Sequence, residues 1–273
     1  MKKIEAVGII GYGFVGQAIG FGFVPVIPVN TYDKDPNKCM NTLEETVNNS
    51  DVIFVSVPTP MNKDGSINLD IVRSVLGDIS RVNTRDDNVV VIKSTIVPGT
   101  TSIFAKEFKD LNFVFNPEFL TERHARFDFL NQSRIVLGGP TEHTEKVAEL
   151  YRMRFKHCNI MQVDYNTAEF IKYFGDVFFS VRVSLAHDMT LAGFVADCRV
   201  GDSHLNVPGP DGKWGFGGSC FPKDINAFIT FSDDLGVNAN VIKAAWQTNL
   251  EVRPEKDWEQ LKGRAVVSEE EGE

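Results

Sequence analysis

The chain has 273 residues, of which 42% are hydrophobic and 24% charged, and its formal net charge is −9 at pH 7. This length predicts a dinucleotide-sized domain plus a smaller one, and the composition is that of an ordinary globular protein. The acidic balance argues against nucleic acid or an anionic membrane as partner, because both require a basic surface. Four cysteines without metal-like spacing favour the cytoplasm, and isolated histidines predict no metal site.

Strand-like and helix-like segments alternate through the first half of the chain. Nearly continuous apolar, β-branched segments predict parallel strands that are covered on both faces. The predicted strands are 6–10, 26–32, 51–57, 89–92, 113–115 and 135–137, and the predicted helices are 15–21, 42–48, 69–79, 100–108 and 141–155. This alternation predicts an α/β fold with a Rossmann-type, doubly wound parallel sheet.

The second half of the chain has a helical pattern. Residues 166–192 predict one long helix, and residues 225–253 predict another that is interrupted near Gly236. A loop rich in glycine and proline separates them. We therefore predict a sheet domain over 1–163, a smaller all-helical domain over 164–260, and a disordered tail over 261–273.

A glycine-rich turn joins the first predicted strand to the first helix, and reads Gly11-Tyr12-Gly13-Phe14-Val15-Gly16. In a dinucleotide site the first glycine permits the turn, the second lets the backbone approach a pyrophosphate, and the third lets the helix pack on the sheet. Asp33, at the end of the second strand, would accept bonds from a ribose and repel a 2′-phosphate. NAD is thus favoured over NADP, although Lys34 tempers that preference. The alternative is a glycine-rich turn in an unrelated α/β protein.

A second motif reads Gly215-Phe216-Gly217-Gly218-Ser219-Cys220-Phe221-Pro222-Lys223-Asp224. Flexible glycines lead to a thiol, and Pro222 suits the first turn of a helix. A helix N-terminus with a lysine nearby stabilises the thiolate of a cysteine, which describes a nucleophile. Asp224 lies one turn further on. The alternative is a buried structural cysteine, to which we assign the other three cysteines.

Taken together, the motifs resemble those of the UDP-glucose/GDP-mannose dehydrogenase family. The matching segments occur in family order: Gly11 to Gly16, Val57 to Pro60, Lys93 to Thr95 with Pro98 to Thr100, Asn116 to Glu122, Ala168 to Tyr173, and Gly217 to Asp224. The resemblance implies an enzyme that oxidises the C6 alcohol of a nucleotide sugar to a carboxylate while two NAD are reduced in turn.

The resemblance also implies roles for several of the matching residues. Cys220 would capture the intermediate aldehyde as a thiohemiacetal, whose oxidation leaves a thioester that water cleaves. Lys172 would stabilise the developing alkoxide, Asp224 would order water, and Glu118 would be the base in hydrolysis. Thr95 and Asp176 complete the implied catalytic set. Implied NAD contacts are Gly11, Gly13, Phe14, Val15, Gly16, Asp33, Lys34, Thr59, Thr95, Glu122 and Lys223, and implied substrate contacts are Phe119, Leu120, Lys172, Phe216 and Gly217.

Without the motif, Glu118, Glu122 and Lys172 would be interpreted as exposed charges, because glutamate and lysine are mostly exposed in proteins.

The sequence departs from the family pattern in three places. Asp176 stands where the family has an asparagine, and a carboxylate cannot donate to an oxyanion unless it is protonated. The segment around 188–199, which completes the family's dimer-forming helical domain, is shorter by about a dozen residues. Residues 261–267 resemble the start of the family's third, nucleotide-holding domain, and we expect the rest of that domain to be missing. Residues 203–212 resemble a loop of short, bacteriophage-encoded relatives.

Three hypotheses follow from the sequence. The first is an NAD-dependent nucleotide-sugar 6-dehydrogenase, a homodimer through the long helix. The second is a simple NAD-dependent alcohol or hydroxyacid dehydrogenase, which needs no cysteine. The third is a catalytically silent NAD-binding module, suggested by Asp176, the shortened segment and the missing domain.

Overall fold

The computed structural model describes residues 3–187, 201 and 203–268. The strands among them are β1 (Val7–Ile10), β2 (Val29–Tyr32), β3 (Val52–Val55), β4 (Val89–Ile92), β5 (Asn112–Phe115), β6 (Arg134–Gly138) and β7 (Asn159–Val163). The α-helices are α1 (Phe14–Phe23), α2 (Leu43–Asn48), α3 (Asp70–Val82), α4 (Thr100–Glu107), α5 (Ala125–Leu130), α6 (Thr141–Arg154), α7 (Tyr165–His187), α8 (Phe221–Asp234) and α9 (Asn240–Val252).

The chain divides into two compact units, which we call the sheet unit and the helical unit. The sheet unit comprises residues 1–58 and 69–172, and the helical unit comprises 59–68 and 173–273. This division falls inside α7, after Lys172, whereas the sequence predicted a domain boundary ahead of that helix. None of the helices within the described residues is long and apolar enough to cross a membrane.

All the strands of the sheet unit form one sheet in the order β2-β1-β3-β4-β5-β6-β7. Neighbouring strands run parallel except β5 and β6, which pair antiparallel at Phe115 and Gly138. The predicted Rossmann-type α/β fold is confirmed, with that one antiparallel pair as a departure. In register, Ile10 lies opposite Tyr32 and Val55, and Ile92 lies opposite Val55 and Phe115. The carboxyl ends of β1 to β5 therefore share one edge of the sheet.

The sheet has an apolar layer on each face, which explains the continuous apolar runs of its strands. One layer contains Ile9 and Phe54 and is covered by residues of α1 and α6, including Phe23 and Tyr151. The other contains alternate strand residues, such as Val55, and is covered by residues of α3 and α4. Both faces of the sheet therefore exclude water.

Two elements of the sheet unit were not predicted. The side chains of β7 are exposed or half-buried, so this strand lacks the apolar run by which the inner strands were recognised. Helix α5 has six residues and no capping side chain, whereas α2, equally short, begins with the Thr42 and Glu45 capping box. The second strand begins at Val29 rather than at 26, because Pro28 precedes it.

The helical unit contains the rest of α7 together with α8 and α9. The predicted end of the long helix, residues 188–192, and the shortened segment lie outside the described residues. Residues 261–268, which we predicted as part of a disordered tail, pair with the segment 59–68: Met61 N donates to Ala265 O at 2.8 Å, and Val267 N donates to Met61 O at 2.9 Å. The last five residues, 269–273, lie outside the described part.

Candidate functional site

The glycine turn after β1 has the features that a pyrophosphate site requires. Gly11 has φ +86°, and a Cβ at this position would lie 2.6 Å from the Ser56 carbonyl oxygen. A Cβ at Gly16 would collide with the Gly11 carbonyl, whereas one at Gly13 would face open space. Gly13 is also the N-cap of α1, and no side chain caps this helix. The start of α1, where the helix dipole is positive, thus follows the glycine turn directly, as in dinucleotide-binding turns that hold a pyrophosphate. Phe14 and Val15 begin the helix, half-buried.

Asp33 follows β2, and its carboxylate forms a hydrogen bond with the backbone of the glycine turn. Its Oδ2 accepts a hydrogen bond from Tyr12 N at 2.6 Å, and its Oδ1 accepts one from Asp35 N at 2.9 Å. Each carboxylate oxygen keeps a further lone pair for a ribose hydroxyl. Lys34 beside it is exposed. The residues present therefore fit the predicted adenosine end of NAD.

A serine hydroxyl group forms hydrogen bonds between the segments that follow β3 and β4. Ser94 Oγ accepts from Val57 N at 3.0 Å and donates to Val57 O at 2.7 Å. Thr95, next in the chain, is half-buried at the same sheet edge. The other three predicted cofactor contacts differ in setting: Glu122 is exposed in a 3₁₀ turn of the sheet unit, and Thr59 and Lys223 are buried in the helical unit.

Glu118 and Lys172 form a buried ion pair in the sheet unit. Lys172 Nζ lies 3.2 Å from Glu118 Oε1, and Leu120 N donates to Glu118 Oε2 at 2.7 Å. Lys172 is 3% exposed and Glu118 is 7% exposed, so the interpretation of these two residues as exposed charges is wrong. Glu122, by contrast, is exposed. A buried pair of this kind keeps an ammonium and a carboxylate close together in a region of low dielectric constant.

A cavity of about 280 Å³ opens beside this pair. Glu118, Phe119 and Leu120 line it, and Arg134 from the start of β6 lies over the Phe119 ring, 4.3 Å from its centroid. Phe119 and Leu120 are half-buried. Two of the three substrate contacts predicted in the sheet unit, Phe119 and Leu120, thus line one cavity, whereas the third, Lys172, contacts the lining residue Glu118.

Lys93 also lines this cavity, and we had assigned it no role from the sequence. It is 5% exposed, and its Nζ donates to Asn116 Oδ1 and to Pro117 O, each at 3.2 Å. Burial lowers the pKa of Lys93 to about 7, while the Glu118 carboxylate acts to raise it and the Lys172 ammonium acts to lower it. Its position after β4 offered a sequence signal, because strand ends of open α/β sheets carry ligand-binding residues.

Glu169, one turn before Lys172, was likewise not predicted as a site residue. It accepts hydrogen bonds from Gly99 N at 2.6 Å and from Thr101 N at 2.8 Å. Burial raises the pKa of its carboxyl group, although these hydrogen bonds oppose the shift. Glu169 thereby ties α7 to the first turn of α4 and helps to fix the position of Lys172.

Cys220 is the N-cap of α8 in the helical unit, and Pro222 lies in the first turn, as predicted. The thiol is half-buried, with Sγ 3.8 Å from Ser219 Oγ. Lys223 and Asp224, both buried, form an ion pair with each other. An α-helix N-terminus with this pair in its first turn suits a thiolate nucleophile.

Asp176, where the family has an asparagine, is buried on α7, and its carbonyl oxygen accepts from Ser180 Oγ at 2.8 Å.

Side chains far along the sequence hold the loop that precedes Cys220. Asn249 Oδ1 accepts from Phe216 N at 2.7 Å, and Asn249 Nδ2 donates to Phe216 O at 3.0 Å. Asp257 Oδ2 accepts from Gly218 N at 3.1 Å. A Cβ at Gly217 would collide with the side chains of Arg253 and Asp257. Phe216 and Gly217, predicted substrate contacts, are therefore fixed by residues that no local motif indicates.

Arg253 is the centre of this anchoring group. It is 2% exposed, with Nε 2.6 Å from Asp257 Oδ1 and one terminal nitrogen 2.7 Å from Asp211 Oδ2. Its other terminal nitrogen donates to Trp214 O at 3.2 Å. Burial alone would raise the pKa of Asp257, but hydrogen bonding to Arg253 leaves it below its usual value. The loop is thus held by a buried guanidinium and its carboxylates.

Comparison with known proteins bears on both units. Residues 30–155 match the sequence model of the NAD binding domain of the UDP-glucose/GDP-mannose dehydrogenase family, and residues 166–251 match that of its central domain. UDP-glucose 6-dehydrogenase AglM of Haloferax volcanii is 30% identical over 86% of this chain and 60% of its own length. UDP-glucose 6-dehydrogenase TuaD of Bacillus subtilis is 30% identical over 78% of this chain and 49% of its own.

A solved structure resembles the whole described fold. The UDP-glucose dehydrogenase of Pyrobaculum islandicum superimposes with a TM-score of 0.81 at 27% identity, over 95% of this chain and 71% of that one. The chain spans about half to three fifths of the length of the relatives that it matches in sequence. The match of the NAD binding domain confirms the predicted cofactor.

Proposed function

Because this chain belongs to the UDP-glucose/GDP-mannose dehydrogenase family, we propose that it oxidises the C6 alcohol of a nucleotide sugar to the uronic acid. The observation that carries the proposal is Cys220 at the N-cap of α8, since a simple alcohol dehydrogenase needs no such thiol. NAD, when bound, accepts the hydride in each of the two oxidations.

The NAD-holding role belongs to the turn Gly11 to Gly16 and to Asp33. The uncapped start of α1 binds the pyrophosphate, and the Asp33 carboxylate binds the ribose. Lys34, Thr59, Thr95, Glu122 and Lys223 are proposed as further contacts. Because Lys34 is exposed, solvent and salt screen its charge. We therefore expect Lys34 to affect the choice between NAD and NADP less than Asp33 does.

In the first oxidation the C6 hydroxyl gives its proton to solvent water, and Lys172 stabilises the alkoxide that forms as its hydride passes to NAD. Its ammonium is buried beside Glu118, so its charge is screened less than at a surface. The substrate contacts that we propose are Phe119 and Leu120 in the sheet unit and Phe216 and Gly217 in the helical unit. The product of this step is an aldehyde.

In the second oxidation the Cys220 thiolate adds to the aldehyde carbon, and the resulting alkoxide takes up a proton. Loss of hydride to NAD and of the hydroxyl proton to solvent water converts that thiohemiacetal into a thioester on Cys220. Glu118 then accepts a proton from water, the hydroxide adds to the thioester carbonyl, and the thiolate leaves the carboxylic acid product. Asp224 and Thr95 order the water. Asp176 supplies no amide donor, so we expect weaker alkoxide stabilisation than an asparagine would give.

The test is to incubate the full chain with NAD and a panel of UDP- and GDP-sugars and to measure NADH and sugar acid. We expect two NADH for each sugar oxidised. Cys220→Ser should stop the second oxidation, so that no sugar acid forms. Cys39→Ser is the matched control, because Cys39 is half-buried outside the motifs, and it should behave as the unaltered chain.

The other outcomes would point to the other hypotheses. Full turnover of Cys220→Ser with one NADH per substrate would indicate a simple alcohol or hydroxyacid dehydrogenase. Calorimetric binding of NAD without NADH from any sugar would indicate a silent module. Alkylation by iodoacetamide provides a second measurement: Cys220 should react faster than Cys158, because burial raises the pKa of the Cys158 thiol.

We also propose that the chain forms a homodimer through α7 and works in the cytoplasm, where a reducing environment keeps Cys220 as a thiol. Phe170, Phe174 and Phe178 recur at four-residue spacing on α7 and are 44%, 59% and 49% exposed. Phe174→Glu should therefore shift the sedimentation coefficient toward that of a monomer.

A further inference from the structure

Lys93 is a buried lysine in the cavity that also contains Glu118. Besides Lys93, the described charged side chains that line this cavity are Glu118, Asp128 and Arg134. Lys172 does not line it, but contacts Glu118 from α7. Tyr151 faces Lys93 through Asn116, to which it donates a hydrogen bond, and burial keeps its hydroxyl protonated by raising its pKa. Replacing buried charged groups with apolar side chains is often neutral or stabilising, so stability alone does not explain a lysine at this position.

The hydrogen bonds of Lys93 end at the two residues directly before Glu118. Asn116 is held from three sides: its Oδ1 accepts from Lys93 Nζ at 3.2 Å and from Tyr151 Oη at 2.5 Å, and its Nδ2 donates to Val136 O at 2.7 Å. The Pro117 carbonyl accepts from Lys93 as well. This network fixes the backbone from which the Glu118 carboxylate projects.

Two lysine side chains act on the Glu118 carboxylate from different distances. The Lys172 ammonium lies in direct contact with its carboxylate, whereas Lys93 interacts with it through the low-dielectric region at a greater distance. When Lys93 carries a proton, two cations stabilise the carboxylate and weaken it as a base. When Lys93 is neutral, Lys172 alone does so, and Glu118 takes a proton from water more readily.

From this geometry we propose that Lys93 is a positioning residue for Glu118, one that fixes the Asn116–Pro117 backbone and adjusts the basicity of Glu118 through its own charge. The inference rests on the proposed function, in which Glu118 is the base for thioester hydrolysis. Burial, which favours the neutral amine, brings this charge change to near neutral pH.

The first measurement needs no turnover. In protein labelled with ¹³C at lysine, the Lys93 resonance, identified by its loss in Lys93→Met, should titrate near pH 7. Glu118→Gln should move that midpoint down, because a favourable carboxylate is lost, and Lys172→Met should move it up, because a repelling cation is lost. Lys106→Met, an exposed lysine on α4, should leave it unchanged.

The second measurement is the pH dependence of kcat from about pH 6 to about pH 9. In the unaltered chain kcat should rise through an inflection near pH 7. Lys93→Met should lower kcat by about tenfold to a hundredfold and remove the inflection, since misplaced catalytic groups cost that much. Lys93→Gln keeps an amide donor and should recover part of kcat without the inflection, whereas Lys106→Met should retain both.

The outcomes separate this proposal from the proposed function. A Lys93 resonance that does not titrate in this range, or whose midpoint ignores Glu118→Gln and Lys172→Met, would overturn the proposal. An inflection that persists in Lys93→Met would also overturn it. If no sugar yields NADH while the resonance titrates with the expected shifts, the proposed function fails and the electrostatic coupling of Lys93 to Glu118 stands.

Discussion

The two units hold their proposed catalytic groups by different means. In the sheet unit, Lys93 and Glu118 follow β4 and β5, so the register of the sheet brings them to one edge. In the helical unit, the loop before Cys220 has no regular structure of its own and is held by Asn249, Arg253 and Asp257, which lie far along the sequence.

This difference indicates which substitutions should destabilise each unit. Backbone pairing in the sheet is distributed over many hydrogen bonds, and a single side chain contributes little to it. The Cys220 loop depends on a few side chains, each of which satisfies buried polar groups of the backbone. Substitutions in the anchoring group should therefore affect both stability and the thiol, whereas those near the strand ends should act mainly on charge.

The largest effect is expected from Arg253→Met. It leaves Asp257 and Asp211 without their shared cation and removes the donor to the Trp214 carbonyl. Breaking a buried ion pair from one side should lower the free energy of unfolding by about 3 kcal/mol. Chemical denaturation measures this loss, and iodoacetamide should alkylate the half-buried Cys220 faster.

The matched control is Arg126→Met in the sheet unit. Arg126 is exposed and stacks on Phe21, so its loss should change the free energy of unfolding by no more than about 0.5 kcal/mol. Equal losses in the two variants would contradict the contrast between the units.

A smaller effect is expected from Asn249→Ala, which leaves the buried Phe216 N–H and carbonyl without their partner. Unsatisfied buried polar groups of this kind cost about 2 kcal/mol in total. Denaturation should show that loss, together with faster alkylation of Cys220. Asn37→Ala, at an exposed turn, should change neither measurement. An unchanged alkylation rate in Asn249→Ala would mean that the loop keeps its shape without this anchor.

The smallest effect concerns Lys93 and depends on pH. Its pKa in the folded chain is about 7, below the ordinary value, so between about pH 7 and about pH 10 the unfolded chain binds more protons. The free energy of unfolding contributed by this group must therefore rise with pH, by at most about 1.4 kcal/mol for each pH unit. Relative to Lys93→Met, the unaltered chain should gain about 1 kcal/mol of stability from pH 7 to pH 8. A difference that stays constant with pH would show that Lys93 titrates normally.

The sequence predicted the sheet unit well because its signals are local. Buried parallel strands produce continuous apolar runs, and the glycines after β1 are required by the turn itself. The features that the sequence did not predict lack such a local signal. β7 is an edge strand with little buried surface, and the antiparallel pairing of β5 with β6 depends on a long connection that contains the short α5.

The site was predicted less completely than the fold. Cys220 at a helix N-terminus was evident from its neighbours, whereas the roles of Glu118 and Lys172 came only from the family resemblance. Asn249 and Arg253 went unnoticed and Lys93 was matched without a role, because each acts through contacts across the fold that no spacing within one segment reveals. Buried polar groups that satisfy distant backbone atoms need a three-dimensional structure to be recognised.

The bond from Tyr12 N to Asp33 has a practical consequence for cofactor engineering. Switching such a protein to NADP requires replacing the acidic residue, so that a 2′-phosphate is no longer repelled. Here the same carboxylate is the acceptor for the amide at the start of the glycine turn. A redesign with Ala at 33 would therefore loosen the phosphate-binding turn while it widened the ribose pocket. Asn or Ser at that position would retain an acceptor, and the exposed Lys34 already provides a cation for the additional phosphate.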